Sequence, residues 1–293
     1  MTSISKLSFV YLTIRAGSID ILASVLSAQD KSKPWELIVV DGYPGRVQRG
    51  WAERFLVHAG LPLKAYVEPK PKTFPWSRTG FANAINTGAL HASGEFVVYL
   101  HDYTVFPPDM TLRWWDVLSN TDGRTLVHGV AQEYESDPPD VLDDIRTWSK
   151  KMDLRYRRDW IPELFELGYF GIPIKFFEEC NGIDERADFC FNFATRATIA
   201  HARALGYSLK VEPSLVCGMI DHHLWPVNGK PSEDSKWVIP GVYSDVPAVP
   251  NWTGWGANPF LFSKERQRIL EELNNPVRTK ENHYILPESA IIK

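Results

Sequence analysis

Two stretches of this chain, "ELIVVDG" (36–42) and "GEFVVYLHD" (94–102), run as unbroken strand formers and then stop on an aspartate. A continuous apolar run of this length is the pattern of a strand covered on both faces, and sheets covered on both faces are largely parallel. Asp41 and Asp102 therefore stand at C-terminal strand ends. In an open α/β sheet that rim is where ligands bind, and a carboxylate buried there without a partner is costly. Either acid alone reads equally well as the cap of a following turn, where Asp is favoured; two on one rim point to a ligand crevice.

The flanking segments supply the rest of such a sheet. "LSFVYLTI" (7–14) reads as a strand, and "SIDILASVLSAQ" as a helix with Ile21, Leu22, Val25 and Leu26 on one face behind a Ser18 cap. "LKAYVE" (63–68) reads as a further strand. From Thr79, "TGFANAINTGALHASG" reads as a helix with Phe81, Ile85 and Ala89 inward and Gly94 as a left-handed stop. Strands alternating with helices imply a mostly parallel sheet with right-handed crossovers.

The second half is less regular. "DMTLRWWDVL" and "DDIRTWSKKMDLRYRRDW" read as helices, "RTLVHGVAQ" as a strand, and the segment from "GYFGIP" as a Gly-rich turn followed by a helix ending near Gly206. Beyond Trp225 the chain is rich in Pro, Gly and Trp and reads as a loop-rich cover, with a last helix around "SKERQRILEELNN".

With 293 residues, 44% hydrophobic and 23% charged, the chain suits one broad domain or two small ones. A net charge of -4 argues against a sequence-independent grip on phosphate backbones, with "RYRRD" as a local basic patch. Cys180, Cys190 and Cys217 are odd in number and widely spaced, which suits a reducing, cytoplasmic setting better than a zinc knuckle or a disulfide scaffold. Nowhere do about 18 apolar residues follow one another, so no integral membrane contact is expected.

The order of these features resembles glycosyltransferase family 2 on the GT-A fold. The matching phrases are "SVLSAQD" (24–30), "ELIVVDG" (36–42), "SRTGFANAINTGALHASGEFVVYLHDYTVFP" (77–107) and "CNGIDERADFCFNFATR" (180–196), over roughly residues 5–215. The resemblance implies an α/β fold with a mixed, mostly parallel sheet flanked by helices and a loop-rich C-terminal extension. Residues 1–107 would then form the nucleotide-sugar-binding half, 108–225 the acceptor-binding and catalytic half of the same domain, and 226–293 the extension.

For the site, the resemblance implies a nucleotide-sugar donor, a Mn2+ or Mg2+ ion, and inversion at the anomeric carbon by single displacement. Asp102 matches the metal-binding acid. The family often has further acids in this motif; here the preceding residue is His101, which takes the ion, contacts ribose or phosphate, or fills space. Asp41 matches the acid that meets the nucleoside, where it can accept from a uracil N3–H, so a UDP-sugar is favoured; Gly42 stands where a second Asp is usual. Arg78 matches a basic residue near the diphosphate or base and reads equally well as a solvated charge at a helix start, and Thr13 and Arg15 lie on the same rim. In "IDHHLW", His222 or His223 is placed either to complete a metal site, as in many GT-A enzymes, or to serve as a polar loop residue. Asp188 matches the catalytic base; the other reading makes it the N-cap of the helix that follows, with Glu185, one turn earlier, as the base.

The phrase "Q-x-x-R-W" of processive synthases is missing, which favours a single-transfer enzyme. The resemblance implies a hydroxyl acceptor, and the sequence does not choose among a glycan, lipid headgroup, protein, metabolite or modified nucleic acid. A GT-A-like nucleotidyltransferase is the second reading, although "TIRAGSID" has one glycine where a Gly-rich phosphate loop is expected. A non-catalytic carbohydrate- or nucleic-acid-binding module on this fold is the third.

Overall fold

The computed structural model describes residues 4–15, 17–71, 80–102, 104–133, 169–185, 188, 193–219 and 261–274. In chain order the first elements are strand β1 (Leu7–Thr13), helix α1 (Ser18–Ser27), β2 (Trp35–Asp41), α2 (Arg46–Arg49), α3 (Trp51–His58) and β3 (Leu63–Val67). Then come α4 (Phe81–His91), β4 (Phe96–His101), β5 (Thr104–Val105), α5 (Met110–Ser119) and β6 (Thr125–Glu133). The last are β7 (Phe170–Pro173), α6 (Ile174–Cys180), α7 (Phe193–Ala204), β8 (Ser208–Met219) and α8 (Phe262–Asn274).

Among the described residues eight strands form one sheet, in the order β3-β2-β1-β4-β7-β6-β8-β5. The β3-β2-β1-β4 half is parallel, as the continuous apolar runs require, while β7 pairs antiparallel with both β4 and β6. The chain builds outward from β1 to β3 and then returns to lay β4 on the other side of β1. In open α/β sheets such a reversal marks the place for a ligand crevice, here at the C-terminal ends of β1 and β4. Register carries the sequence pattern to that rim, with Thr13 opposite Asp41 and Leu12 opposite His101.

Alternation along each strand builds two cores. Phe9, Tyr11, Leu37, Val39, Val98 and Leu100 pack under α1, α3 and α5 on one face. Val10, Leu12, Ile38, Val40, Val97 and Tyr99 pack under α4, α6, α7 and α8 on the other. Helix α4 lies close enough on β1 that a Cβ at Gly88 would run into Val10. Ile85 and Ala89 of the same helix are fully buried against the sheet, and Phe81 packs on the margin of the same cluster.

Several readings change. Ser18 is the first residue of α1, not its cap: Gly17 holds the cap position, and the Ser18 hydroxyl donates to the Arg15 carbonyl (2.9 Å). Gly94 is not a left-handed stop. Its role is close approach, since a Cβ there would lie 2.7 Å from the Lys6 carbonyl oxygen. "GYFGIP" carries strand β7 rather than a turn, and "SLKVEPSLVCGM" is a strand that sequence reading passes over. The pairing of β8 with β6 breaks between His128 and Val130, and Pro213 falls in that gap, where no ladder bond is needed. The helix around "SKERQRILEELNN" stands as α8. The "DDIRTWSKKMDLRYRRDW" segment and the Trp-rich stretch beyond 225 lie outside the described residues.

Candidate functional site

Asp102 follows the last residue of β4 and is 4% exposed. Its Oδ2 accepts from the Ile14 backbone N–H (3.0 Å) and the Thr13 hydroxyl (3.2 Å), and its Oδ1 is salt-bridged to the Arg15 guanidinium. The partner that a strand-end carboxylate requires is thus supplied across the crevice, from the end of β1.

Asp41 is buried more completely. Its oxygens accept from Arg46 Nε (2.5 Å) and Nη2 (2.8 Å), from the Tyr43 backbone N–H (2.8 Å), and from the Tyr66 hydroxyl. Burial, and then the hydrogen bond to this carboxylate, push the Tyr66 phenol well above its ordinary range, so it remains a donor. Arg46 joins the two strand ends: its Nη1 donates to the Arg15 carbonyl (2.7 Å) and its Nη2 to the Thr13 hydroxyl (3.3 Å). In this arrangement Asp41 presents no oxygen to the crevice and serves as the counter-ion of Arg46.

A second acidic cluster sits where α4 begins. Asp188 accepts from the Ala82 N–H (2.7 Å) through Oδ1 and from the Asn83 N–H (3.0 Å) through Oδ2, satisfying two of the open donors of the first turn of α4. Glu185 bridges Lys70 Nζ through both oxygens, at 2.6 and 2.7 Å, and accepts from Asn86 Nδ2 (2.9 Å). Burial lowers the affinity of Lys70 for its proton, and the Glu185 charge works against that loss. Asn86 also clamps Ile183 through both its backbone groups, at 2.7 and 2.8 Å.

The two clusters meet through aromatic contact. The His101 ring lies 5.2 Å from that of Phe81, the first residue of α4. Of the residues singled out in the sequence, Thr13, Arg15, Asp41 and Asp102 come together in one network, His101 borders it, and Asp188 and Glu185 form the neighbouring cluster. Arg78, His222 and His223 lie outside the described residues. Sequence reasoning passes over Arg46, Tyr66, Lys70, Asn83 and Asn86. Only Asn86 carried a signal, as the Asn of "N-T-G".

Among the described residues no three of His, Cys, Asp and Glu come together as a metal-holding group, and none of the helices is long and apolar enough to cross a membrane. Cys180 and Cys217 are buried free thiols.

A mostly parallel sheet that reverses direction at β1, with helices on both faces and charged groups gathered at the C-terminal rim of the switch point, is an α/β scaffold of the GT-A kind. The model of glycosyl transferase family 2 matches residues 19–191, and the chain belongs to that family. Among solved structures it is similar to the mannosyltransferase PcManGT from Pyrobaculum calidifontis in complex with GDP-Man and Mn2+. That match has 21% identity and a TM-score of 0.50, covering 74% of this chain and 57% of the other. The chain therefore spans 57% of the length of that relative. It is also similar to TarS of S. aureus, at 14% identity and a TM-score of 0.49, with 74% of this chain and 37% of that one covered. TarS 1-349 in complex with UDP matches at 14% identity and a TM-score of 0.49, covering 73% of this chain and 60% of the other. No curated protein sequence matches the chain.

Proposed function

We propose that this protein moves one sugar from a nucleoside-diphosphate donor to a hydroxyl acceptor with inversion, as a single transfer. The observation that carries the reading is Asp102 with Arg15 at the switch point between β1 and β4, in a member of this family. There an acid and a guanidinium stand side by side where a diphosphate would lie. A UDP-sugar is the first donor to test, and a GDP-sugar the second, because PcManGT is described with GDP-Man.

The donor set at Asp102 fits Mn2+ or Mg2+. It holds a hard carboxylate at the strand end, engaged in this structure by Arg15, Ile14 and Thr13, and such ions take most of their remaining ligands from phosphate and water. Asp102 would hold the ion, with His222 or His223 as further candidates. When bound, the ion neutralises charge that develops on the leaving diphosphate. Arg15 adds a planar fork of donors suited to phosphate oxygens. Arg46 holds the backbone of Arg15 in place through its carbonyl.

Deprotonation of the acceptor falls to Asp188 in this reading, with Glu185 as its neighbour. The arrangement supports that order: a proton on Glu185 would leave the buried Lys70 ammonium without the carboxylate that bridges it, whereas the Asp188 oxygens accept from the backbone N–H groups of Ala82 and Asn83. Purified protein incubated with UDP- and GDP-sugars, with and without Mn2+, tests the proposal. Slow release of nucleoside diphosphate is expected; release of pyrophosphate would instead identify a nucleotidyltransferase, and no release with any donor would overturn catalysis.

A further inference from the structure

Two ion pairs stand at these strand ends, Asp102 with Arg15 and Asp41 with Arg46. All four residues are buried, between 0% and 6% exposed. A bare divalent cation approaching Asp102 meets a carboxylate that already carries a guanidinium on one oxygen and two donors on the other. Two cations on one buried carboxylate repel at short range, in surroundings that screen them poorly. The ion can take Asp102 only as Arg15 leaves it.

What draws Arg15 away is a ligand with better oxygens for a guanidinium fork. A diphosphate provides them, as a bidentate partner with more charge than one carboxylate. The main chain of Arg15 need not move: its carbonyl is held by Arg46 Nη1 (2.7 Å) and by the Ser18 hydroxyl (2.9 Å), so the side chain pivots at the mouth of the crevice. We infer that Arg15 is a gate on the metal position: it occupies Asp102 until a nucleoside diphosphate accepts its guanidinium, so that the divalent ion binds together with the nucleotide and not before it. The inference rests on the donor reading given above and adds to it an order of binding and a residue that enforces it.

Calorimetric titration of Mn2+ into the wild-type protein, Arg15→Ala and Arg15→Ala/Asp102→Asn, each with and without UDP or GDP, tests the gate. Wild-type protein is expected to bind Mn2+ at least about tenfold more tightly with nucleotide than without. Arg15→Ala is expected to bind Mn2+ alone at least about tenfold more tightly than wild type, and to lose most of the nucleotide's effect. Asp102→Asn in that background should abolish the gain. A merely structural role for Arg15 would weaken binding, not strengthen it. Arg15→Gln, which keeps length and hydrogen-bond donors without the charge, serves if Arg15→Ala does not fold. Equal Mn2+ affinity in wild type and either variant, with metal binding intact, overturns the gate alone. Nucleotide binding with no Mn2+ binding in any protein overturns the metal reading and the gate with it, and binding of neither nucleotide overturns the donor reading itself.

Discussion

Glu185 and Lys70 lie 115 residues apart and form a two-oxygen ion pair, at 2.6 and 2.7 Å, with both side chains buried. The pair ties the segment after β3 to the turn that carries both candidate bases. Breaking a buried pair from one side strands a charge, which costs about 3–5 kcal/mol, whereas removing both charges costs much less. Lys70→Met is therefore expected to lower the denaturant midpoint strongly. The double variant Lys70→Met/Glu185→Gln should recover most of the loss. Equal midpoints for the single and double variants would show that the pair contributes nothing by its charge.

Asp41→Asn is expected to act through Arg46. Asp41 is wholly buried and Arg46 nearly so, and the amide would leave the guanidinium without its counter-charge, for about 3–5 kcal/mol of lost stability. Arg46→Met should cost a similar amount, and the double variant less than the sum, because the two share one interaction. Chemical denaturation of the three proteins decides this. If Asp41→Asn leaves stability untouched while weakening UDP binding, the acid meets the base directly, as the family resemblance implies.

The difference between those two readings shows what was legible in the chain. The apolar runs of β1, β2 and β4, the faces of α1 and α4, and the placing of Asp41 and Asp102 at one rim all follow from local pattern, because period and strand ending are local properties. What each acid touches does not. Asp102 meets Arg15 across 87 residues and Asp188 meets α4 across 106, partnerships that no window of sequence contains. Arg46 is only five residues from Asp41, but an arginine after a glycine-containing turn reads as a solvated charge until the fold buries it. Strand β7 is hidden by its glycine: a Cβ at Gly171 would lie 2.9 Å from the Trp114 ring, so packing required the residue that made the segment look like a turn. In β8, the proline at the register break disguised a long edge-side strand.

His91 sets an acid limit on stability. Burial chiefly, with Arg268 nearby, lowers its affinity for a proton below the ordinary value of about 6.5, against the pull of the Thr87 carbonyl, 2.8 Å from Nδ1. The folded protein then binds fewer protons here than the unfolded chain between the lowered value and 6.5. His91 thus contributes stability that is present above about pH 6.5 and lost as pH falls, with a slope of at most about 1.4 kcal/mol per pH unit. Melting temperatures between pH 7.5 and 5.5 should fall more steeply for wild type than for His91→Gln, and parallel curves would show that this histidine does not titrate with unfolding.

Asp188 carries two duties that one substitution can separate. Its carboxylate closes the N-terminal end of α4, accepting from Ala82 and Asn83 at 2.7 and 3.0 Å, and in the proposed reaction it also takes the proton of the attacking hydroxyl. Asn keeps one acceptor oxygen for the helix and has no useful basicity, while Ala removes both functions. Replacing an N-terminal capping side chain by Ala typically costs about 0.5–2 kcal/mol, and by Asn much less. A general base contributes about 10²–10⁴-fold to rate. Asp188→Asn is therefore expected to melt near wild type and bind UDP or GDP with little change, yet to release nucleoside diphosphate from its donor at least about 10²-fold more slowly. Asp188→Ala should show the same loss of rate with a clear fall in melting temperature. If Asp188→Asn turns over normally and only Asp188→Ala is impaired, in step with its stability, the residue is a cap for α4 and the base lies elsewhere. Glu185→Gln, compared in the Lys70→Met background so that no charge is stranded, then decides whether the neighbouring acid performs that step.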